Sequence, residues 1–91
     1  MSAKPLKSEE IAAIAAVYYA CGGSIKAHQP LQFIRNKFEK SFRPYAKEIL
    51  EKVVRRPEQY VQKHKNREVT YSITLNGIKL LEDMNIIPRK R

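Results

Sequence analysis

Hydrophobic positions recur along this chain with two different periods, and the change of period marks its elements. Ile11, Ile14, Ala15, Val17, Tyr18 and Cys21 repeat at helical spacing. They predict a first helix capped by Ser8, with Glu9 and Glu10 in its first turn, where the helix dipole favours anions. Gly22-Gly23 should stop it. The helix is apolar around much of its circumference, which places it at the core. "SIKAH" is too short for a helix and suits a small edge strand with Ile25 facing in. In "QPLQFIRNKFEK" a second helix is expected, with Pro30 in its first turn. Leu31, Ile34 and Phe38 form its stripe, Phe33 lies beside it, and Arg35, Lys37 and Lys40 face out. "SFRPYAKEILEKVVRR" predicts a third helix, with Ser41 or Arg43 near its cap and Pro44 in its first turn. Ala46, Ile49, Leu50, Val53 and Val54 make its buried face. Arg43, Lys47, Glu48, Glu51, Lys52 and Arg55 make its exposed one, and Pro57 ends it.

The period then drops to two. Val69, Tyr71 and Ile73 alternate with Thr70 and Ser72, the pattern of a half-buried strand. Residues 58–74 therefore read as a β-hairpin, with Val61 opposite Tyr71 and the turn near Lys65-Asn66-Arg67, where Asn tolerates left-handed geometry. Lys63, His64, Lys65 and Arg67 crowd its tip. From Thr74, whose hydroxyl can cap a helix, the helical period returns: Ile78, Leu81 and Met84 form a stripe with Leu80 adjacent. Ile86 and Ile87 follow, and Pro88 prevents continuation. The organisation expected is a flexible N-terminus over 1–7, one domain over 8–87 and a basic tail over 88–91. No repeat or low-complexity segment interrupts it.

Composition narrows this picture. At 91 residues with 43% hydrophobic content, the chain can build one modest core. No apolar run approaches the roughly 20 residues that span a bilayer. A single cysteine, Cys21, allows neither an internal disulfide nor a multi-cysteine metal site. A reducing, cytoplasmic compartment is the simplest reading. Net charge is +9, and it is uneven: residues 31–70 carry 11 cations against 5 anions. A basic middle points to a polyanion, nucleic acid before anionic membrane. The plainer alternative is a solvated surface.

The predicted order, helix, short strand, helix, helix, hairpin, helix, resembles a winged helix-turn-helix domain of the small basic prokaryotic and archaeal type. "YSITLNGIKLL" is similar to the Y-x-L-T-x-x-G-x-x-x-L segment that follows the wing in many such regulators, with Ile73 in place of Leu and Thr74, Gly77 and Leu81 at matching spacing. The resemblance implies an α+β, mainly α fold: a three-helix core, a short edge strand, a β-hairpin wing and a C-terminal helix. In that setting Ile73 anchors the strand, Thr74 caps the helix, and Gly77 lets its first turn pass close to neighbouring backbone. The family's third helix commonly enters the major groove while the wing touches phosphate or minor groove. Carried over, the third helix offers Ser41, Arg43, Tyr45, Lys47 and Lys52, and the wing Lys63, His64, Lys65, Asn66 and Arg67. Arg55 and Arg56 lie between them, and Arg35, Lys37 and Lys40 flank them. Glu48 and Glu51 depart from the pattern, because phosphate would repel them. They pair with Lys52 and Arg55 within the helix, or the helix faces protein, or only its amino end enters a groove.

Catalytic and metal chemistry find little support. His64 has no nearby metal-binding pattern and His28 is far away in sequence. Cys21 on an apolar helix face reads as a structural thiol. Tyr18 and Tyr19 fit a core or interface better than base stacking. Capping explains Glu9 and Glu10, Glu82-Asp83 is a solvated patch, and Gly22-Gly23 lacks a nucleotide-loop pattern. The expectation is therefore a non-enzymatic protein without cofactor or metal that binds double-stranded DNA, in transcription regulation, chromatin organisation or replication. Structured RNA, as in a ribosomal protein, and docking as an accessory subunit of a nucleic-acid polymerase are the alternatives. A homodimer stays open, and no membrane contact is expected.

Overall fold

The structure, a computed structural model, describes residues 5–89. Helix α1 spans Ser8–Ala20, strand β1 Gln29–Pro30, and helix α2 Leu31–Arg35. A 3-10 turn over Arg43–Tyr45 leads into α3, Ala46–Val54. Strands β2, Val61–Lys65, and β3, Val69–Ile73, form the hairpin, and α4 spans Leu75–Asp83. The three strands make one antiparallel sheet in the order β1-β3-β2. The observed class is α+β.

α1 sits centrally, packed against α2, α3, α4 and β3, as its nearly all-round apolar surface predicts. Ala13, Ile14, Ala16, Val17 and Ala20 are buried, and the small side chains allow close approach of the neighbouring helices. Lys7, not Ser8, occupies its N-cap position. The carboxylate of Glu10 accepts from the Lys7 backbone N–H at 3.0 Å. The two glycines do end the helix. Gly23 N–H donates to Tyr18 O at 3.0 Å and Gly22 N–H to Tyr19 O at 3.1 Å, the paired bonds of a Schellman motif. The same device ends α4: Asn85 takes φ 60°, and Asn85 and Ile86 donate to Glu82 and Leu81. It swings Ile87 into the core and leaves Met84, expected in the buried stripe, exposed.

Several expected boundaries move. Residues 24–28 form no strand, and Ile25 is exposed rather than inward. The left-handed glycines turn the chain aside, so it reaches the sheet only at Gln29. Pro30 lacks an N–H and suits this edge position. α2 stops at Arg35, five residues before the expected end, and the chain leaves it in tighter i→i−3 turns, with Lys37 N–H donating to Ile34 O at 2.9 Å and Phe38 N–H to Arg35 O at 3.1 Å. Just past it the Arg43 guanidinium donates to Phe38 O at 3.1 Å and Asn36 O at 3.4 Å, which fixes the turn that leads to α3. Ile34 and Phe38 remain buried as expected.

In the hairpin Val61 pairs with Ile73 and Lys63 with Tyr71, a two-residue shift from the expected register that keeps each side chain on its face. Thr70 and Ser72 are buried, not solvated. β3 is the central strand, and two imidazoles cover its outer face (below). The flexible N-terminus and basic tail expected over 1–7 and 88–91 fall partly outside the described residues. Within them, Leu6 packs on the core and Arg89 meets Asp83 at 3.0 Å. No helix among the described residues is long and apolar enough to cross a membrane.

The strand-to-helix junction behaves as its residues predict. Thr74 Oγ1 accepts from Gly77 N–H at 3.1 Å and so caps α4. The same hydroxyl lies 2.6 Å from Gln59 O and 3.0 Å from Tyr60 O, tying the helix start to the chain entering β2. A Cβ at Gly77 would run into the Tyr60 carbonyl oxygen and come within 2.7 Å of Ile73 Cδ1, so only glycine fits.

Candidate nucleic-acid interface

α3 lies along the inner face of the hairpin, and one cluster fixes its position. Glu51, expected to be exposed on α3, turns toward the sheet. Its Oε2 accepts from Lys63 Nζ at 2.7 Å and from Tyr71 Oη at 3.1 Å. The Lys63 bond, and then that of Tyr71, hold the Glu51 carboxyl below its usual range despite partial burial. Burial, with the Glu51 charge beside it, pushes the Tyr71 phenol up to about 12. Glu51 is therefore bonded to the sheet, not to Lys52 or Arg55 of its own helix.

A second cluster holds the carboxyl end of α3. Arg56 donates through Nε to Glu10 Oε2 and through a terminal nitrogen to Glu10 Oε1, each at 3.1 Å, and reaches Pro5 O at 3.0 Å. Both side chains are about nine-tenths buried, at 10% and 8% exposure. The hydrogen bond from Arg56 outweighs burial and lowers the Glu10 pKa. Glu58 lies 3.6 Å from Arg56 on its other side. Glu10 is thus both cap and ion-pair partner across 46 residues, the second role invisible to a reading of local spacing.

These contacts sort the residues singled out from the sequence. Arg43, Arg56 and Lys63 have their cationic groups engaged inside the fold. Lys52 is exposed and only 3.8 Å from Glu9. Arg35, Lys37, Lys40, Lys47, Arg55, Lys65 and Arg67 are exposed, and none makes an ion pair among the described residues. Ser41, Tyr45 and Asn66 are exposed as well.

The direction of α3 decides which of these meet. The carboxyl end of α3 at Val54 is joined by six residues to Val61 at the base of β2, and Glu51, one turn earlier, bonds Lys63. The amino end of α3 therefore points toward the hairpin tip. A helix rises about 6 Å over four residues and a strand about 6.6 Å over two. By that spacing Lys47, one turn before Glu51, is expected level with Lys65, two residues beyond Lys63, and Tyr45 precedes the first turn of α3 there. Exposed Val69 stands opposite Lys65, and Asn66, Arg67 and Glu68 close the tip. The positive end of the α3 dipole faces the same way. Glu48 in the first turn of α3 and Glu68 at the tip are exposed anions of the same region. The flanking cations of α2 and the turn after it belong to a different part of the chain, and Arg55 lies at the far end of α3.

His64 leaves this face. It lies on the outer side of the sheet, where its Nε2 is 2.8 Å from Ser72 Oγ, and His28 Nδ1 is 2.8 Å from Thr70 Oγ1. The two rings approach to 5.2 Å. Sequence distance concealed this pair, although the polar positions Thr70 and Ser72 were a signal that something polar would cover that face. Among the described residues no group of three or more His, Cys, Asp or Glu could hold a metal. Cys21 is buried with its Sγ 3.8 Å from Tyr71 O, and burial raises its pKa, which disfavours a thiolate.

Comparison with protein-family models, with curated proteins and with solved structures finds no match to this chain.

Proposed function

We propose that the chain is a non-enzymatic protein that binds double-stranded DNA, using the amino end of α3 and the hairpin tip on a winged helix-turn-helix frame. The frame is supported by the element order and by the sheet order β1-β3-β2, in which a short strand before α2 pairs with the second strand of the hairpin. The observation that carries the reading is local. Lys47 in the first turn of α3 and Lys65 and Arg67 at the hairpin tip are exposed and without an ion pair among the described residues. Lysines and arginines so placed neutralise phosphate and release counterions. Tyr45 and Val69 add apolar surface between the charges. Arg43, held by Phe38 and Asn36, acts as a positioning residue for the turn before α3, so Lys47 takes the nearest place to base edges.

Fluorescence anisotropy with a mixed-sequence duplex at about 50 mM salt tests this, since phosphate-driven affinity is greatest at low salt. Binding that weakens steeply with added salt is the expected result, and no binding at that salt sinks the proposal. An A-form RNA duplex serves as competitor. Its major groove is too narrow for α3, so it should compete poorly. Effective competition would transfer the reading to RNA.

A further inference from the structure

The other end of the sheet carries a different kind of surface. After α1, Gly22 and Gly23 take φ 63° and 78°, and Lys26 N–H donates to Ser24 Oγ at 3.2 Å. The resulting loop runs beside the start of α4, leaving an open groove between them. Ile25, Leu75 and Ile78 supply its apolar lining, and Lys26 and Lys79 stand on its walls. Leu75 is 68% exposed and Ile25 45%, an arrangement that leaves two large aliphatic side chains side by side in water. Both also line a second, more polar hollow with Gln59, Gln62 and Asn76 at the base of β2. This groove lies at the Val61–Ile73 end of the hairpin, remote from the tip.

We propose that the groove docks a short acidic and apolar segment of a partner protein. Its aliphatic or aromatic side chains seat against Ile25, Leu75 and Ile78, and its carboxylates meet Lys26 and Lys79. Charge complementarity selects this occupant. Lys26 and Lys79 make no ion pair among the described residues, while Glu82, the anion of the groove, already has an interaction of its own. A second copy of a chain with net charge +9 would bring like charge to like charge. From Leu75 to Glu82 the helix runs about 10 Å, room for two or three side chains, so the contact is small and reversible. The site is independent of the DNA-binding end, and occupation of both would make the chain a bridge between DNA and an acidic protein.

The test is an amide-resolved NMR titration of the full chain with a synthetic amphipathic peptide of leucines and glutamates, and with its glutamine counterpart. The expected result is chemical-shift change confined to Gly22–Lys26 and Leu75–Glu82. Binding of the glutamine peptide should be about tenfold weaker, the effect of two exposed ion pairs. Leu75→Asp should abolish it and Lys79→Glu should weaken it. Neither change threatens the fold, because both side chains are exposed, and unchanged hairpin-tip amides will show that. Shifts centred on Lys47 and Lys65, or equal binding of the two peptides, overturn the proposal. So does a dimer in sedimentation that Leu75→Asp dissolves, or Leu75-dependent binding to anionic phosphatidylserine vesicles.

Discussion

At the closed end of the unit made by α3 and the hairpin, cations are matched to anions. Arg56 lies against Glu10 and Lys63 against Glu51, with Tyr71 completing the second cluster. At the open end, Lys47, Lys65 and Arg67 stand in water with no ion pair among the described residues. Composition counts all five as basic residues of one stretch. Burial separates them. A guanidinium taken out of water needs a carboxylate, and once matched it has little left for a ligand. An exposed lysine costs almost nothing to keep and retains its charge for a phosphate. The net charge of the middle segment therefore overstates what an external polyanion could feel.

The contrast breaks most readily at Arg56. Arg56→Met should cost about 3–5 kcal/mol in urea denaturation, because it strands the Glu10 carboxylate in a buried position. Adding Glu10→Leu should recover most of that loss. A cost below about 1 kcal/mol, the value for an exposed pair, would erase the distinction between the two ends. Gly77→Ala comes next. In an ordinary helix this change stabilises by about 1 kcal/mol. Here the new methyl meets the Tyr60 backbone, and a loss of about 1–3 kcal/mol is expected instead. A gain in melting temperature would mean the junction is looser than described.

Titration sharpens the same contrast. Glu10 and Glu51 have lowered pKa values, so their stabilisation is complete above the unfolded value of 4.5 and is lost as pH falls through the folded values. Tyr71 runs the other way: its contribution is intact below 10 and is lost as pH rises toward about 12. Glu51→Gln should flatten part of the acid arm of a stability-versus-pH profile and only part of the alkaline arm, because burial is the larger cause of the Tyr71 shift, and unchanged arms would remove Glu51 from the cluster. The smallest effect is expected at the tip, where Lys65→Ala should alter stability by less than about 0.5 kcal/mol.

Much of the frame was legible in the sequence because it rests on local rules. Helical spacing located α1, the glycine pair its end, period-two alternation β3, and Thr74 with Gly77 the start of α4. What escaped was non-local. Arg43 reaches back to the carbonyls of Asn36 and Phe38 just past α2, and Glu10 meets Arg56 across the chain. His28 covers Thr70 from a distant loop. None of these leaves a periodic trace. For the candidate interface, exposure was legible for Lys47, Lys65 and Arg67, whereas Arg43, Arg56 and Lys63 are engaged by partners that sequence spacing does not reveal. Ile25 shows the opposite error: an isolated aliphatic residue reads as core, and here it borders an open groove.

The salt dependence of duplex binding tests the central claim most directly. In fluorescence anisotropy between about 50 and 200 mM salt, the triple variant Lys47→Ala, Lys65→Ala, Arg67→Ala should lower the slope of log affinity against log salt by about 2.7, at 0.9 per phosphate contact. A control that removes three exposed cations elsewhere, Lys7→Ala, Lys26→Ala, Lys79→Ala, should leave the slope nearly unchanged. Equal changes in the two variants, or no change in the first, would contradict a DNA interface at the open end of α3 and the hairpin.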